Sequence, residues 1–270
     1  MKTGPLQLAL FGAAGRMGRE IVAALRESPD FQLTAAIGRA GGETIGRDIG
    51  EIAGGLPLGI ALSADATAAV EAADLLIDYS SPAGFTTAVE ACRAAGCAFV
   101  SGTTGLEPSH HAALEAAAND IPVLYSANMT LGMAALNRLV GEAAKMLGDE
   151  FDVEIVEMHH RHKKDAPSGS ALRLGKTVAA ARGTTLEKSA AYGRYGEGAR
   201  APGSIGFASL RGGAIPGDHT VIFAGDGEHL ELTFRAGSRR IFANGALRAA
   251  AWLAKQPAGL YSVDDLLDQD

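Results

Sequence analysis

The sequence predicts an α/β protein: a doubly wound parallel sheet followed by a second, α+β domain. Three observations predict it. Short apolar runs alternate with amphipathic helical patterns as far as Tyr125. A glycine cluster sits between the first apolar run and the first helical pattern. Near residue 130 the rhythm breaks, and a long helical pattern leads into a group of strand-like runs. Strands that alternate with helices pair in parallel through crossover connections, which bury both sheet faces.

Leu6 to Phe11 is a short apolar run closed by glycine and reads as a buried strand. Met17, Ile21, Val22 and Leu25 then share one helix face, and Ser28-Pro29-Asp30 ends that helix. Strands are expected at 32–37, 74–78, 98–101 and 121–125, with helices at 65–72, 82–95 and 109–118. A helix over 130–146 is expected to turn Leu131, Ala134, Ala135, Leu139 and Ala143 to one side. A strand at 151–158 and a helix at 168–182 follow, then a polar, glycine-rich stretch at 193–203. Strand-like runs occupy 204–210, 219–223 and 229–235, the last two joined by a hairpin loop at 224–228. The pattern at 242–253 is again helical and is expected to return to the first domain. The expected domains are residues 1–129 with 241–270, and residues 130–240.

Composition narrows the function. Apolar residues make up 47% and charged residues 20%, the profile of a soluble globular chain. No apolar run is long enough to cross a bilayer. The formal charge of −7 argues against a broad nucleic-acid footprint. Met1 to Pro5 lacks the pattern of a signal peptide, and Cys92 and Cys97 read as two buried thiols in a reducing compartment, so a cytoplasmic location is expected.

Gly12-Ala13-Ala14-Gly15-Arg16-Met17-Gly18 lies between the first strand and the first helix. One glycine permits the tight turn and another close helix–strand packing. The N–H groups at the helix start, with the helix dipole, favour a pyrophosphate. Ala14 takes the position of the usual second glycine of the dinucleotide loop. An ordinary strand-to-helix turn can carry the same glycines, but the β/α setting favours a Rossmann-like sheet and a nicotinamide cofactor. After the second strand stands Gly38-Arg39 rather than a carboxylate for the ribose 2′-OH. An arginine there can pair with a 2′-phosphate, which leans toward NADPH, although Arg39 also reads as a solvated surface residue. Gly102-Thr103-Thr104-Gly105 and Ser126-Ala127-Asn128-Met129 follow later strands, at the sheet edge where ligands bind. They are candidates for contact with the nicotinamide, and each is equally explicable as turn chemistry or a helix cap.

The segment from Glu157 to Ser170, EMHHRHKKDAPSGS, holds three of the seven histidines beside Arg161, Lys163 and Lys164. Such a cluster repels itself unless anions are near, so an anionic substrate with one or more carboxylates would explain it. Ser168 can cap a helix whose first N–H groups bind a carboxylate. A histidine and a lysine at that place can serve as proton donor and charge stabiliser. A metal site is disfavoured, because H-x-x-x-H and H-E-x-x-H spacings are absent and the flanking cations oppose a metal ion. A solvated basic loop stays open on the residues alone.

With these segments in view the chain resembles the 4-hydroxy-tetrahydrodipicolinate reductase family, also called dihydrodipicolinate reductases, of lysine and diaminopimelate biosynthesis. The likeness is carried by residues 12–18, by 157–170, which is similar to the family signature E-x-H-H-x-x-K-x-D-A-P-S-G-T, and by Phe242-Ala243-Asn244-Gly245-Ala246. It extends to the loops at 102–105 and 126–129. The resemblance implies a Rossmann domain that takes back the C-terminal helix, and a substrate domain that builds a homotetramer. It implies His159 as general acid and Lys163 as stabiliser of developing negative charge or partner in proton delivery. His160 and the Gly169-Ser170 amides become ligands of the substrate carboxylates. The reduced nicotinamide would be held by Gly12 to Met17, with Ala13, Ala14, Gly15 and Arg16 between them, by Gly102 to Thr104 and by Ser126 to Met129, and Gly38-Arg39 makes the expected cofactor NADPH, or both NADPH and NADH. Two residues depart from the family. Ser170 replaces threonine, and Gly38 stands where many members carry an acidic residue.

Overall fold

The computed structural model describes residues 4–268. The start of the chain read above as lacking a signal peptide, and the extreme C-terminus, therefore fall partly outside the described residues. The chain divides into two compact units. One runs to Leu131 and resumes at Arg239, and the other is Gly132–Ser238.

In chain order the first unit contains β1 (Leu6–Phe11), α1 (Arg16–Leu25), β2 (Phe31–Ile37), α2 (Ile49–Ile52), β3 (Leu62–Ser63), α3 (Ala66–Val70), β4 (Leu75–Asp78), α4 (Pro82–Ala95), β5 (Ala98–Ser101), α5 (Pro108–Ala117) and β6 (Pro122–Tyr125). The second is built from α6 (Leu131–Leu147), β7 (Asp152–His159), α7 (Gly169–Ala181), α8 (Leu186–Ser189), β8 (Ala190–Tyr192), β9 (Ile205–Arg211), β10 (Asp218–Ala224) and β11 (His229–Arg235). The chain then returns to the first unit with α9 (Arg240–Leu253) and β12 (Gly259–Tyr261).

The first sheet has seven parallel strands in the order β12-β6-β5-β4-β1-β2-β3. Its central strands β4 and β5 are buried at every residue, as expected for strands covered on both faces. Helix α4 begins on Pro82, whose missing N–H costs nothing at a helix start, and stops at Gly96 with φ +68°. Strands β3 and β12 and helix α2 have only two to four residues, too few to give a periodic pattern. Cys92 and Cys97 are buried free thiols.

The second unit has a mixed five-stranded sheet in the order β11-β10-β7-β9-β8. β10 runs antiparallel to β7 and β11, while β9 is parallel to β7 and β8. Val153, Ile155, Phe207, Val221 and Phe223 face a core completed by Met133, Val140, Leu174 and Val178 from α6 and α7. The helix over 131–147 forms, and its buried face keeps part of the expected one: Ala134 and Ala143 are buried, joined by Met133, Leu136, Val140 and Ala144, whereas Leu131 and Ala135 are half-buried and Leu139 is 56% exposed. Leu139 lies about 100° around the helix from Val140, so the two cannot share the stripe that meets the sheet. The hairpin after β10 turns through residues 225–228, with Gly225 N–H donating to the Glu228 carbonyl (2.9 Å). Strand β8, just before the glycine-rich stretch, was not anticipated.

Candidate active site

In the first unit the predicted nucleotide-binding residues leave the C-terminal ends of β1, β2, β5 and β6. Gly12 has φ +76°, and a Cβ on it would stand 2.3 Å from the Tyr79 carbonyl oxygen beyond β4. A Cβ on Gly18 would stand 2.3 Å from the Gly12 carbonyl, so α1 packs against its own loop only because residue 18 is glycine. Gly12 and Ala13 N–H both donate to the Ile37 carbonyl (2.9 and 3.1 Å), which ties the loop to β2. Gly15, exposed beside Ala14, is the N-cap of α1 and offers no side-chain cap. The first turn, which starts with Arg16 and Met17, holds no acidic residue. The first turn of α1 thus carries no carboxylate of its own, the setting in which a helix N-terminus accepts an anion. Ala13 is buried, so only its backbone can meet a ligand, while Arg39 is exposed just beyond β2.

Gly102 N–H donates to the Asp78 carbonyl (3.0 Å) and Ser126 N–H to the Ser101 carbonyl (3.1 Å), so the two later loops stand side by side. Their polar side chains are largely engaged within the loops. The Thr103 hydroxyl donates to Asp78 (2.8 Å), Ser126 Oγ to the Asn128 carbonyl (3.1 Å), and Asn128 Oδ1 accepts from Thr130 (2.8 Å). Thr104 and Ala127 are exposed, and Met129 is buried beneath α9. Asp78 is fully buried, and burial pushes its carboxyl up despite hydrogen bonds from Ser80, Thr103 and Ser101. Neither Asp78 nor Tyr79 was singled out from the sequence. Their position at the end of a buried strand was the available signal.

In the second unit strand alternation puts Glu157 and His159 on one face of β7. Register adds two partners from neighbouring strands: His219 of β10 lies opposite Glu157, and Arg211 of β9 opposite His159. His159 Nδ1 meets Glu157 Oε2 at 2.5 Å. Arg211 donates to both oxygens of the same carboxylate (2.9 and 2.8 Å) and to the Asp165 carbonyl (2.6 Å). Ser168 N–H donates to Glu157 Oε1 (3.2 Å). Ser168 Oγ accepts from Ala171 N–H at the start of α7 and contacts His219 Nε2 (3.1 Å). The rings of His159 and His219 meet edge to face at 5.1 Å.

Burial pushes the Glu157 carboxyl up, but the hydrogen bonds from Arg211 and His159 outweigh it and hold it at about 2. His159 is lowered, chiefly by burial and against the pull of Glu157, with Lys163 and Arg211 lowering it further. His219 is lowered to about 4, first by burial and then by His159. Lys163 pairs with Asp165 (2.9 Å) on the loop after β7, and His160, half-buried, accepts from Lys163 N–H through its carbonyl (3.0 Å). Gly169 and Ser170 open α7 directly after its N-cap Ser168, at the positive end of the helix. The structure therefore gathers His159, Lys163, His160 and the start of α7 on one edge of the second unit. It adds Arg211, which lay just beyond the expected strand at 204–210, and His219, which opened the expected strand at 219–223, and gives Glu157 partners.

Comparison with known proteins decides the family. The model of the dihydrodipicolinate reductase N-terminus matches residues 6–129, and that of the C-terminus matches residues 132–267. The chain belongs to the dihydrodipicolinate reductase family. It is 48% identical to the 4-hydroxy-tetrahydrodipicolinate reductase of Halorhodospira halophila, over 97% of this chain and 98% of that one. It is 49% identical to that of Pseudomonas fluorescens, again over 97% and 98%. Among solved structures, the dipicolinate-bound dihydrodipicolinate reductase of Paenisporosarcina sp. TG-14 shares the fold with a TM-score of 0.74 at 21% identity, over 97% and 99% of the two chains. Membership of this reductase family makes the chain an oxidoreductase with a nicotinamide nucleotide as cofactor. Among the described residues no helix is long and apolar enough to cross a membrane.

Proposed function

We propose that this chain reduces 4-hydroxy-tetrahydrodipicolinate to tetrahydrodipicolinate, with loss of water, in lysine and diaminopimelate biosynthesis. The observation that carries the proposal is the edge of the second unit where His159, Lys163 and the first N–H groups of α7 converge. Its chemistry suits a small dicarboxylate that must gain a proton.

A bound reduced nicotinamide supplies the hydride. His159 delivers the proton from Nε2, because Nδ1 is held by Glu157. Lys163 exchanges its pairing with Asp165 for the substrate and stabilises the negative charge that develops on it. His160 and the Gly169 and Ser170 amides hold the carboxylates. Residues Gly12 to Met17, Gly102 to Thr104 and Ser126 to Met129 hold the nucleotide, largely through backbone, and Arg39 favours NADPH over NADH through its 2′-phosphate. The substrate one-proton, one-hydride balance is complete: reduced nucleotide, a proton and the hydroxylated ring give oxidised nucleotide, water and product.

The outer face of the five-stranded sheet carries Val156, Met158, Leu210 and Ile222 in adjacent strands. That stripe supports self-association through the second unit, and the assembly and location that go with the reading are a homotetramer and the cytoplasm. The test of the function is steady-state reduction of the hydroxylated substrate by the purified chain with each nucleotide. His159→Gln is expected to lower kcat by about a hundredfold or more while the KM for nucleotide holds. Unchanged turnover in that variant overturns the general-acid assignment.

A further inference from the structure

One buried carboxylate transfers neither hydride nor proton in the reaction as proposed, yet it contacts both the proton donor and the N-cap of α7. Glu157 is 1% exposed and accepts from His159 Nδ1, from both terminal nitrogens of Arg211 and from Ser168 N–H. An ionised carboxylate only accepts hydrogen bonds. Its contact with Nδ1 therefore puts a proton on Nδ1 whether the ring is neutral or charged, and leaves Nε2 as the atom that gains and loses one. The space beside Nε2 is kept by glycine: a Cβ on Gly217 would stand 2.9 Å from it. The bond to Ser168 N–H sets the N-cap of α7 against the same carboxylate, so the distance from the acid to the helix start is fixed by one side chain.

Arg211 makes this arrangement tenable. A carboxylate buried without a cation is strongly destabilising, and the guanidinium meets both oxygens while also holding the Asp165 carbonyl of the loop that carries Lys163. Lysine at 211 is a point charge on one nitrogen and cannot reproduce the planar fork that meets both carboxylate oxygens. We infer that Glu157, clamped by Arg211, is a positioning residue that fixes the tautomer of His159 and its spacing from the start of α7. The inference rests on His159 as the proton donor. The charged and titratable groups that face His159 are Glu157 on its own strand, Arg211 on β9, His219 on β10 and Lys163 on the following loop.

The test uses the full chain with 15N-labelled histidine, the His159 signals being those lost in His159→Gln. In the wild type the neutral His159 ring is expected to carry its proton on Nδ1. Glu157→Gln offers Arg211 the amide oxygen and turns the NH2 toward His159, which moves the neutral proton to Nε2 and disfavours the cation. The alkaline limb of kcat/KM then moves down by about one pH unit or more, the direction expected when an opposite charge is removed. The KM for reduced nucleotide stays within about twofold, because transition-state rather than nucleotide binding is lost. Arg211→Lys is expected to shift the limb in the same direction by less, and it decides the matter with the wild-type tautomer should Glu157→Gln not fold. A wild-type ring protonated at Nε2 overturns the inference, as do an unchanged tautomer and limb in the variants. A wild type without turnover would overturn the reductase reading instead, and the tautomer measurement would still decide the role of Glu157.

Discussion

Gly245 is the position where helix propensity and packing demand opposite outcomes, so Gly245→Ala tests the structure directly. It lies inside α9, where replacing glycine by alanine ordinarily stabilises by about 1 kcal/mol. Here, however, a Cβ would stand 1.9 Å from the Met129 carbonyl oxygen. A carbon–oxygen contact is ordinarily about 3.3 Å or more, so helix and loop must separate by about 1.4 Å. The atom it meets is backbone at the end of the 126–129 loop, which cannot rotate away as a side chain would. Overpacking of this kind costs about 3 kcal/mol, at the upper end of the usual range. The net loss is about 2 kcal/mol, and the melting temperature is expected to fall by roughly 4–8 °C. The KM for reduced nucleotide is expected to rise with it, because the displaced loop is one of those proposed to hold the nicotinamide. Thermal unfolding followed by circular dichroism reads the first effect and steady-state kinetics the second. A variant that melts at or above the wild type would refute the packing of α9 against Met129.

His219 makes stability depend on pH. Its folded pKa of about 4 lies below the ordinary 6.5, and its Nδ1 is buried without a partner among the described residues. The unfolded chain takes up this proton below pH 6.5 and the folded chain only near pH 4, so stability falls as pH drops through that window. Between pH 7 and pH 5 the loss is about 2 kcal/mol, read from urea midpoints. His219→Phe should flatten that dependence, and an undiminished loss in the variant would refute the assignment. Arg39→Ala is expected to raise the KM for NADPH by about tenfold or more, the worth of a charge-assisted bond, and to leave that for NADH unchanged. Equal effects on the two nucleotides would remove the role given to Arg39.

The parallel sheet was legible because its central strands are covered on both faces and so read as unbroken apolar runs. Leu-Leu-Ile-Asp at 75–78 and Ala-Phe-Val-Ser at 98–101 need no partner to declare themselves. Strands β3 and β12 hide for the opposite reason. They lie at the two edges of the sheet, have two and three residues, and take their places by pairing with β2 and β6 rather than by any pattern of their own. Leu139 shows the limit of periodicity within a helix that was correctly placed. Leu131, Ala134, Ala135, Leu139 and Ala143 form one stripe and Met133, Leu136, Val140 and Ala144 another beside it, and the buried face takes the second whole with Ala134 and Ala143 from the first. Only the sheet they meet chooses between the two.

The site divides along the same line between local and non-local information. His159, His160 and Lys163 stand within five residues of one another, and Ser168 to Ser170 follow in the same loop and helix start, so their concentration in sequence is itself the signal. Arg211 and His219 lie 52 and 60 residues beyond His159 in the sequence and reach it only through the pairing of β9 and β10 with β7. In isolation an arginine ending a strand and a histidine opening one are unremarkable. The register that sets Arg211 opposite His159 and His219 opposite Glu157 is what turns them into neighbours, and a slip of one residue in either strand would turn them to the outer face. Short-range sequence thus supplies the groups proposed to meet the substrate, while strand pairing supplies the groups proposed to set their protonation and aim.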